Sequence, residues 1–169
     1  MDISLNGSYQ KNNSDMKITY RRSLGLDLGL PIGRFFEVSA GYLLHQQIDK
    51  YTELYKQSAR NKGYNLPDDT LEMRQNENQI SLNGSMGMWL NSIRPSIFGG
   101  ALWRKACQED TFSSYECFPM KLTWNAGVGI ALALTYRMRI KISYRISPSV
   151  EDAKKQHDEL TTVGWIWSL

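Results

Sequence analysis

Residues 18–30 read ITYRRSLGLDLGL, and the alternation within them decides the fold. Ile18, Tyr20, Leu24, Leu26, Leu28 and Leu30 share one parity, interrupted by Arg22. Thr19, Arg21, Ser23, Gly25, Asp27 and Gly29 occupy the other. A strand sends alternate side chains to opposite faces, so this is a long strand with one apolar and one polar face. What remains is which face looks inward. A water-soluble sheet buries the apolar face. A closed barrel in hydrocarbon encloses the polar one.

The same period returns along the chain and marks eight segments. Ile3, Leu5 and Tyr9 share a parity near residues 2–10. The second strand covers about 16–30 and ends at the turn Pro31-Ile32-Gly33-Arg34. A third, about 35–48, aligns Phe36, Val38, Ala40, Tyr42 and Leu44. A long polar interval, about 49–78, is expected as an external loop, with Tyr51–Lys62 either forming a helical turn or two or extending the flanking strands. Ile80, Leu82, Met86, Met88 and Leu90 then alternate with Ser81, Asn83, Ser85, Gly87 and Trp89, up to a turn at Ser92–Pro95. The fifth strand, about 96–106, is mixed, because Ile97, Ala101 and Trp103 fall on one parity but Phe98 and Leu102 on the other. After the Cys-bounded run Gln108–Glu116, Met120, Leu122, Trp124, Ala126, Val128 and Ile130 define a sixth strand. Past a turn near Leu132–Leu134, Tyr136, Met138, Ile140, Ile142, Tyr144 and Ile146 define a seventh. The polar loop Pro148–Glu159 leads to the last, with Val163, Trp165, Trp167 and Leu169.

The 169 residues suffice for one domain, 1–169. Apolar residues make up 41% and charged residues 22%, which resembles a soluble chain but also fits strands of which only half must be apolar. The longest apolar run, Ala126–Leu134, is far short of the roughly 20 residues of a spanning helix. No apolar segment begins the chain, so an exported form is expected to have lost its signal peptide. Cys107 and Cys117 flank a polar run and are expected to form a disulfide, which implies an oxidising compartment. The net charge of +3 comes without a compact basic tract, so no nucleic-acid partner is expected.

The polar parity settles which face is inside. It is small or weakly polar at its centre: Ser23, Gly25, Gly29, Ser39, Gly41, Ser81, Asn83, Ser85, Gly87, Thr123, Asn125, Gly127, Gly129 and Ser143. Eight strands leave an interior only wide enough for side chains, and glycines there relieve crowding. The large residues of the other parity would jam such a lumen but suit hydrocarbon. The expected fold is therefore all-β: an eight-stranded antiparallel up-and-down transmembrane β-barrel. Three tight turns and both termini share one rim, and longer loops the other. Tyr136, Trp165 and Trp167 near the first rim and Tyr9, Tyr20 and Trp103 near the second are expected as interfacial aromatics. Arg22 sits high enough on its strand to snorkel. Buried charges need partners. Asp27 and Glu37 are expected to meet Arg137 and Arg139 across the lumen, with Lys141 on the same parity.

The chain resembles small eight-stranded bacterial outer-membrane proteins, such as the membrane domain of outer membrane protein A and the OmpX/Ail group. The resemblance is architectural and spans the whole chain. Its most specific piece is Thr161–Leu169, which looks like the C-terminal strand read by the outer-membrane assembly machinery. Val163, Trp165, Trp167 and Leu169 keep the alternation, with Leu where such signals usually end in Phe. The resemblance implies a bacterial outer-membrane location with periplasmic termini. The implied partners are outer-membrane lipids and lipopolysaccharide, the assembly machinery and an external protein at the loops, with the barrel itself a monomer. The implied role is structural, with a largely plugged interior. The alternatives are adhesion, a narrow channel for ions or small polar solutes, and lipid A modification. Barrels that modify lipid A use His and Ser. Here His45 is inward near the loop rim, with Ser81 or Ser85 on the next strand, and His157 lies in a loop. No His-x-Ser pair occurs, so no catalytic, cofactor-binding or metal-binding residue is expected.

Overall fold

The computed structural model describes residues 1–63, 71–110, 115–148 and 157–169. Its elements are β1 (Asp2–Asn13), β2 (Lys17–Ile32), β3 (Phe36–Tyr51), α1 (Glu53–Asn61), β4 (Glu72–Gly87), β5 (Ile93–Asp110), β6 (Glu116–Cys117), β7 (Lys121–Ala133), β8 (Met138–Pro148) and β9 (His157–Ser168). The strands pair in the order β4-β3-β2-β1-β9-β8-β7-β5-β6, and β4 also pairs with β5. That last ladder closes the sheet, so eight long antiparallel strands form a barrel. The two-residue β6 is a flap on β5, joined to it by the Cys107–Cys117 disulfide. The β4–β5 ladder pairs the two outer strands of the sheet, whose edges hydrocarbon would leave unsatisfied.

The two parities of residues 18–30 separate as the alternation requires. Leu24, Leu26, Leu28 and Leu30 are exposed on the outside, whereas Ser23, Gly25 and Gly29 are buried. The same outward face carries Val38, Tyr42, Ile80, Leu82, Leu122, Val128, Ile130, Ile142 and Val163. The interior is polar: Asp49 is 0% exposed, Asn125 2%, and Glu77 and Arg104 5% each. The barrel is inside out relative to a soluble one. The mixed parity of β5 has a simple resolution. Trp103 stays outward, and Phe98 and the fully buried Leu102 point into the lumen.

Connections 33–35, 88–92 and 134–137 lie on the rim of the termini; 14–16 and the strand ends Tyr51, Glu72, Asp110, Lys121, Pro148 and His157 lie on the other. Several strands run further than the alternation predicts. β1 pairs with β2 up to Asn13↔Ile18, β3 and β4 remain paired up to Lys50↔Glu72, and β5 reaches Asp110. The expected loop 49–78 therefore narrows to 52–71, with α1 in it. Above the apolar band both faces meet water or polar groups. Backbone pairing continues there without a hydropathy alternation to announce it. His157, expected in a loop, opens β9 opposite Pro148. Residues 64–70, 111–114 and 149–156, where parts of three expected loops fall, lie outside the described residues.

Two lumen glycines show how tightly the interior is filled. Gly41 pairs with Asp27, and a Cβ on Gly41 would run into the Asp27 carboxylate. Gly164 pairs with Asn6 and would meet its side-chain oxygen. Asn6 donates to Asp27 across β1 and β2, so both polar side chains lie over a neighbouring glycine.

Candidate functional site

The lumen is the candidate site, and it is layered from the rim of the termini to the loop rim. At the bottom, Arg94 Nη1 donates to Glu37 Oε2 at 2.9 Å. Arg139 Nη2 reaches Asp2 Oδ2 at 2.6 Å and donates to Ser168 Oγ at 2.6 Å, with its guanidinium over the Trp89 ring. Higher up, Asp27 and Lys141 line a small cavity of about 70 Å³ with Asn6, Ser81, Phe98 and Leu160. Lys141 Nζ stands 5.7 Å from the centre of the Phe98 ring.

The next layer ties opposite walls together. Arg104 on β5 donates Nε and Nη2 to the two oxygens of Glu77 on β4. Its Nη1 donates to the Pro148 carbonyl at 2.8 Å, and Nη2 also reaches Asp158 Oδ2 on β9 at 2.9 Å. Arg145 on β8 donates across the lumen to Gln79 on β4. The forked, permanently charged guanidinium suits this bridging role. Near the loop rim, Asp49 accepts from Lys17 Nζ at 2.8 Å and from Thr19 Oγ1 at 2.6 Å, and Arg21 Nε donates to Gln47 at 2.8 Å.

Above the Arg145 layer the lumen widens into a cavity of about 730 Å³, lined by Arg21, His45, Asp49, Glu77, Arg104 and Arg145 among others. Arg145 and Leu160 border both cavities. His45 Nδ1 and Arg145 Nε are buried without a hydrogen-bond partner among the described residues. Outside the barrel and above the apolar band, Lys50 Nζ donates to Glu72 at 2.7 Å. That hydrogen bond raises the lysine and lowers the carboxylate from their ordinary values.

The charged residues expected in one network are distributed differently. Glu37 pairs with Arg94 and Arg139 with Asp2, while Asp27 and Lys141 share the small cavity. Arg137 is not in the lumen: it is exposed in the turn 134–137, over the Tyr136 ring. The reason is register. Partners across a tilted, closed sheet depend on the stagger of every intervening ladder, which no single strand reveals. The alternation alone does not single out Arg104, Glu77, Asp2 or Arg94 as partners. A usable signal existed for Arg104, because an outward Trp103 forces its neighbour inward. Glu77 falls in the polar interval 49–78, which carries no such signal.

The outer positions fall as follows. Tyr9 is 70% exposed on β1, Tyr20 lies under Lys11 Nζ on β2, and Trp103 is half-buried on β5. Tyr136 is in a turn on the rim of the termini. The Trp165 and Trp167 rings, tilted by 47°, lie with centroids 6.0 Å apart near the end of β9. Val163, Trp165, Trp167 and Leu169 all share the outward parity. Arg22 is exposed and donates Nε to Gln46 at 2.7 Å.

The sequence matches no protein-family model and no curated protein sequence. Solved structures do match. Neisserial surface protein A (NspA) aligns over 99% of this chain and 96% of its own, at 11% identity and a TM-score of 0.67. The N-terminal β-barrel domain of Pseudomonas aeruginosa OprF aligns over 98% and 94%, at 14% identity and a TM-score of 0.58. Ail, the attachment invasion locus protein of Yersinia pestis, aligns over 98% and 91%, at 14% identity and a TM-score of 0.53. At these identities the likeness is one of fold. The chain has the closed eight-stranded fold of small bacterial outer-membrane barrels.

Proposed function

We propose that the chain is a structural barrel of a bacterial outer membrane, with its termini in the periplasm and its longer loops outside. One observation carries this reading: a closed barrel whose outer band is apolar and whose interior holds the charges. Such a wall is stable with hydrocarbon outside and not with water there. The partners that follow are outer-membrane lipids, including lipopolysaccharide, and the machinery that inserts the barrel, for which Val163, Trp165, Trp167 and Leu169 are the recognition positions. The lumen is closed rather than conducting. This is supported by the contraction from about 730 to about 70 Å³ at Arg145 and by the ion pairs beneath.

The test is twofold. The purified chain requires detergent, and its gel mobility shifts on boiling. In planar bilayers it passes little current, whereas Arg145→Ala, which removes the side chain between the cavities, raises it. A water-soluble monomer without a mobility shift would reject the membrane reading, and large wild-type conductance would reject closure.

A second reading, presentation of an external contact surface, is favoured by the extension of β3 and β4 above the apolar band with α1 between them. Replacing residues 52–71 by a short turn then abolishes binding to host-cell surfaces while leaving the gel shift intact. Unchanged binding refutes it.

A further inference from the structure

The wall of the barrel is not paired over its full height. β1 and β9 pair from Asp2↔Ser168 to Gly7↔Val163 and no further. Yet β1 continues on its other side to Asn13↔Ile18, and β9 continues on its other side to His157↔Pro148. Ser8–Asn13 and His157–Thr162 therefore face each other as two strand edges without a ladder. At about 3.4 Å per residue, each edge runs for roughly 20 Å.

The lining of the large cavity shows that this seam is open. Tyr9, Tyr144, Glu159 and Thr161 belong to the outward parity, yet they line the same cavity as the inward Arg21, His45, Arg104 and Arg145. A closed wall would keep the two sets apart. Tyr9 and Tyr144 stand at the top of the apolar band, where an outer leaflet passes from chains to headgroups.

The charge inside indicates what the opening admits. Lys17 is matched by Asp49, and Arg104 by Glu77 and Asp158. Arg21 and Arg145 have only the amide oxygens of Gln47 and Gln79 as hydrogen-bond acceptors, and no carboxylate lies within ion-pair distance of either among the described residues. Arg145 Nε on β8 and His45 Nδ1 on β3, on opposite walls of the lumen, are buried and have no hydrogen-bond partner among the described residues. Arg21 on β2 and Arg145 on β8 flank the β1–β9 seam with N–H donors that no carboxylate of the described residues takes up, and such guanidinium groups suit a group rich in anionic oxygen, of which phosphate is the natural match.

We infer that the upper lumen holds the phosphate headgroup of a lipid that comes from the outer leaflet through the β1–β9 opening. Arg21 and Arg145 bind the phosphate. The acyl chains leave past Tyr9, Tyr144 and Thr161 into the hydrocarbon. This inference rests on the membrane reading above.

The test uses the full chain refolded into phosphatidylcholine vesicles, with insertion confirmed first by the boiling-dependent gel shift. Spin-labelled phosphatidylglycerol and phosphatidylcholine are then compared for association with the barrel. The expected preference for phosphatidylglycerol is roughly tenfold. Arg21→Gln with Arg145→Gln brings it close to one, while Arg145→Lys, which retains the charge, keeps part of it. Thr161→Trp fills the opening. It removes the lipid preference but leaves the binding of inorganic phosphate, measured by calorimetry, unchanged. An inserted barrel without lipid preference overturns the inference, as does a preference that survives the double substitution. Phosphate binding without lipid preference places the source in the water and removes the role of the opening. A chain that fails to insert refutes the membrane reading instead.

Discussion

Replacing Arg104 by Met is the most informative single change in the lumen. Arg104 holds together four strands: β5, on which it sits, β4 through Glu77, β8 through the Pro148 carbonyl, and β9 through Asp158. Arg104 and Glu77 are each 5% exposed. Methionine keeps much of the side-chain volume but leaves the Glu77 carboxylate buried without its main counter-charge. Removing one partner of a buried ion pair costs about 3–5 kcal/mol, most of it the desolvated charge left behind. Glu77→Gln is milder, at about 1–3 kcal/mol, because Arg104 keeps Asp158 and Pro148. In the double variant no carboxylate remains stranded at position 77, so it recovers stability relative to Arg104→Met alone, with a coupling of roughly 1–3 kcal/mol. Urea titration of the chain in lipid vesicles, followed by tryptophan fluorescence and gel mobility, reads these differences. A loss below about 1 kcal/mol for Arg104→Met would show that the cluster is solvated and not a clamp. Strictly additive losses in the double variant would show that the two side chains do not act as a pair.

Two further changes probe the wall itself. Leu26→Arg places a charge on the outward face within the apolar band and costs about 2–4 kcal/mol in the same titration; a neutral result would place that face in water. Gly41→Ala drives a Cβ into the Asp27 carboxylate and costs about 1–3 kcal/mol, whereas Gly84→Ala, with nothing within 4 Å, stays within about 0.5 kcal/mol. Equal effects at the two positions would show that the lumen is looser than described.

Much of this architecture is legible in the chain because hydrocarbon enforces it residue by residue. Leu24, Leu26, Leu28 and Leu30 cannot turn inward without exposing Ser23 and Asp27 to lipid. That physical penalty is why the parity in residues 18–30 also identifies the inside. Legibility ends where the penalty ends. Residues 72–79 form strand with Arg74, Asn76 and Asn78 outward and Gln75, Glu77 and Gln79 inward, a pattern that carries no hydropathy contrast. Nothing in that pattern separates the strand from a loop, so neither Glu77 nor its pairing with Arg104 is legible there. The ionic partners of Glu37 and Arg139 differ from the expected ones for another reason. Which charges meet across a lumen depends on the accumulated stagger of the ladders, so Arg94 and Asp2 could not be selected from local pattern alone. The β1–β9 opening is likewise a property of closure, and neither strand shows it alone.

The central claim is that the apolar parity faces lipid. Single cysteines introduced one at a time from position 18 to 30 and spin-labelled in bilayers test it directly. Cys107 and Cys117 are held in a disulfide and leave no other free thiol to label. The account predicts that collision with oxygen, which concentrates in hydrocarbon, oscillates with a period of two. It peaks at positions 24, 26, 28 and 30 and falls at 23, 25, 27 and 29. The opposite phase, or labels at 24–30 that are uniformly accessible to a water-soluble relaxing agent, would contradict it.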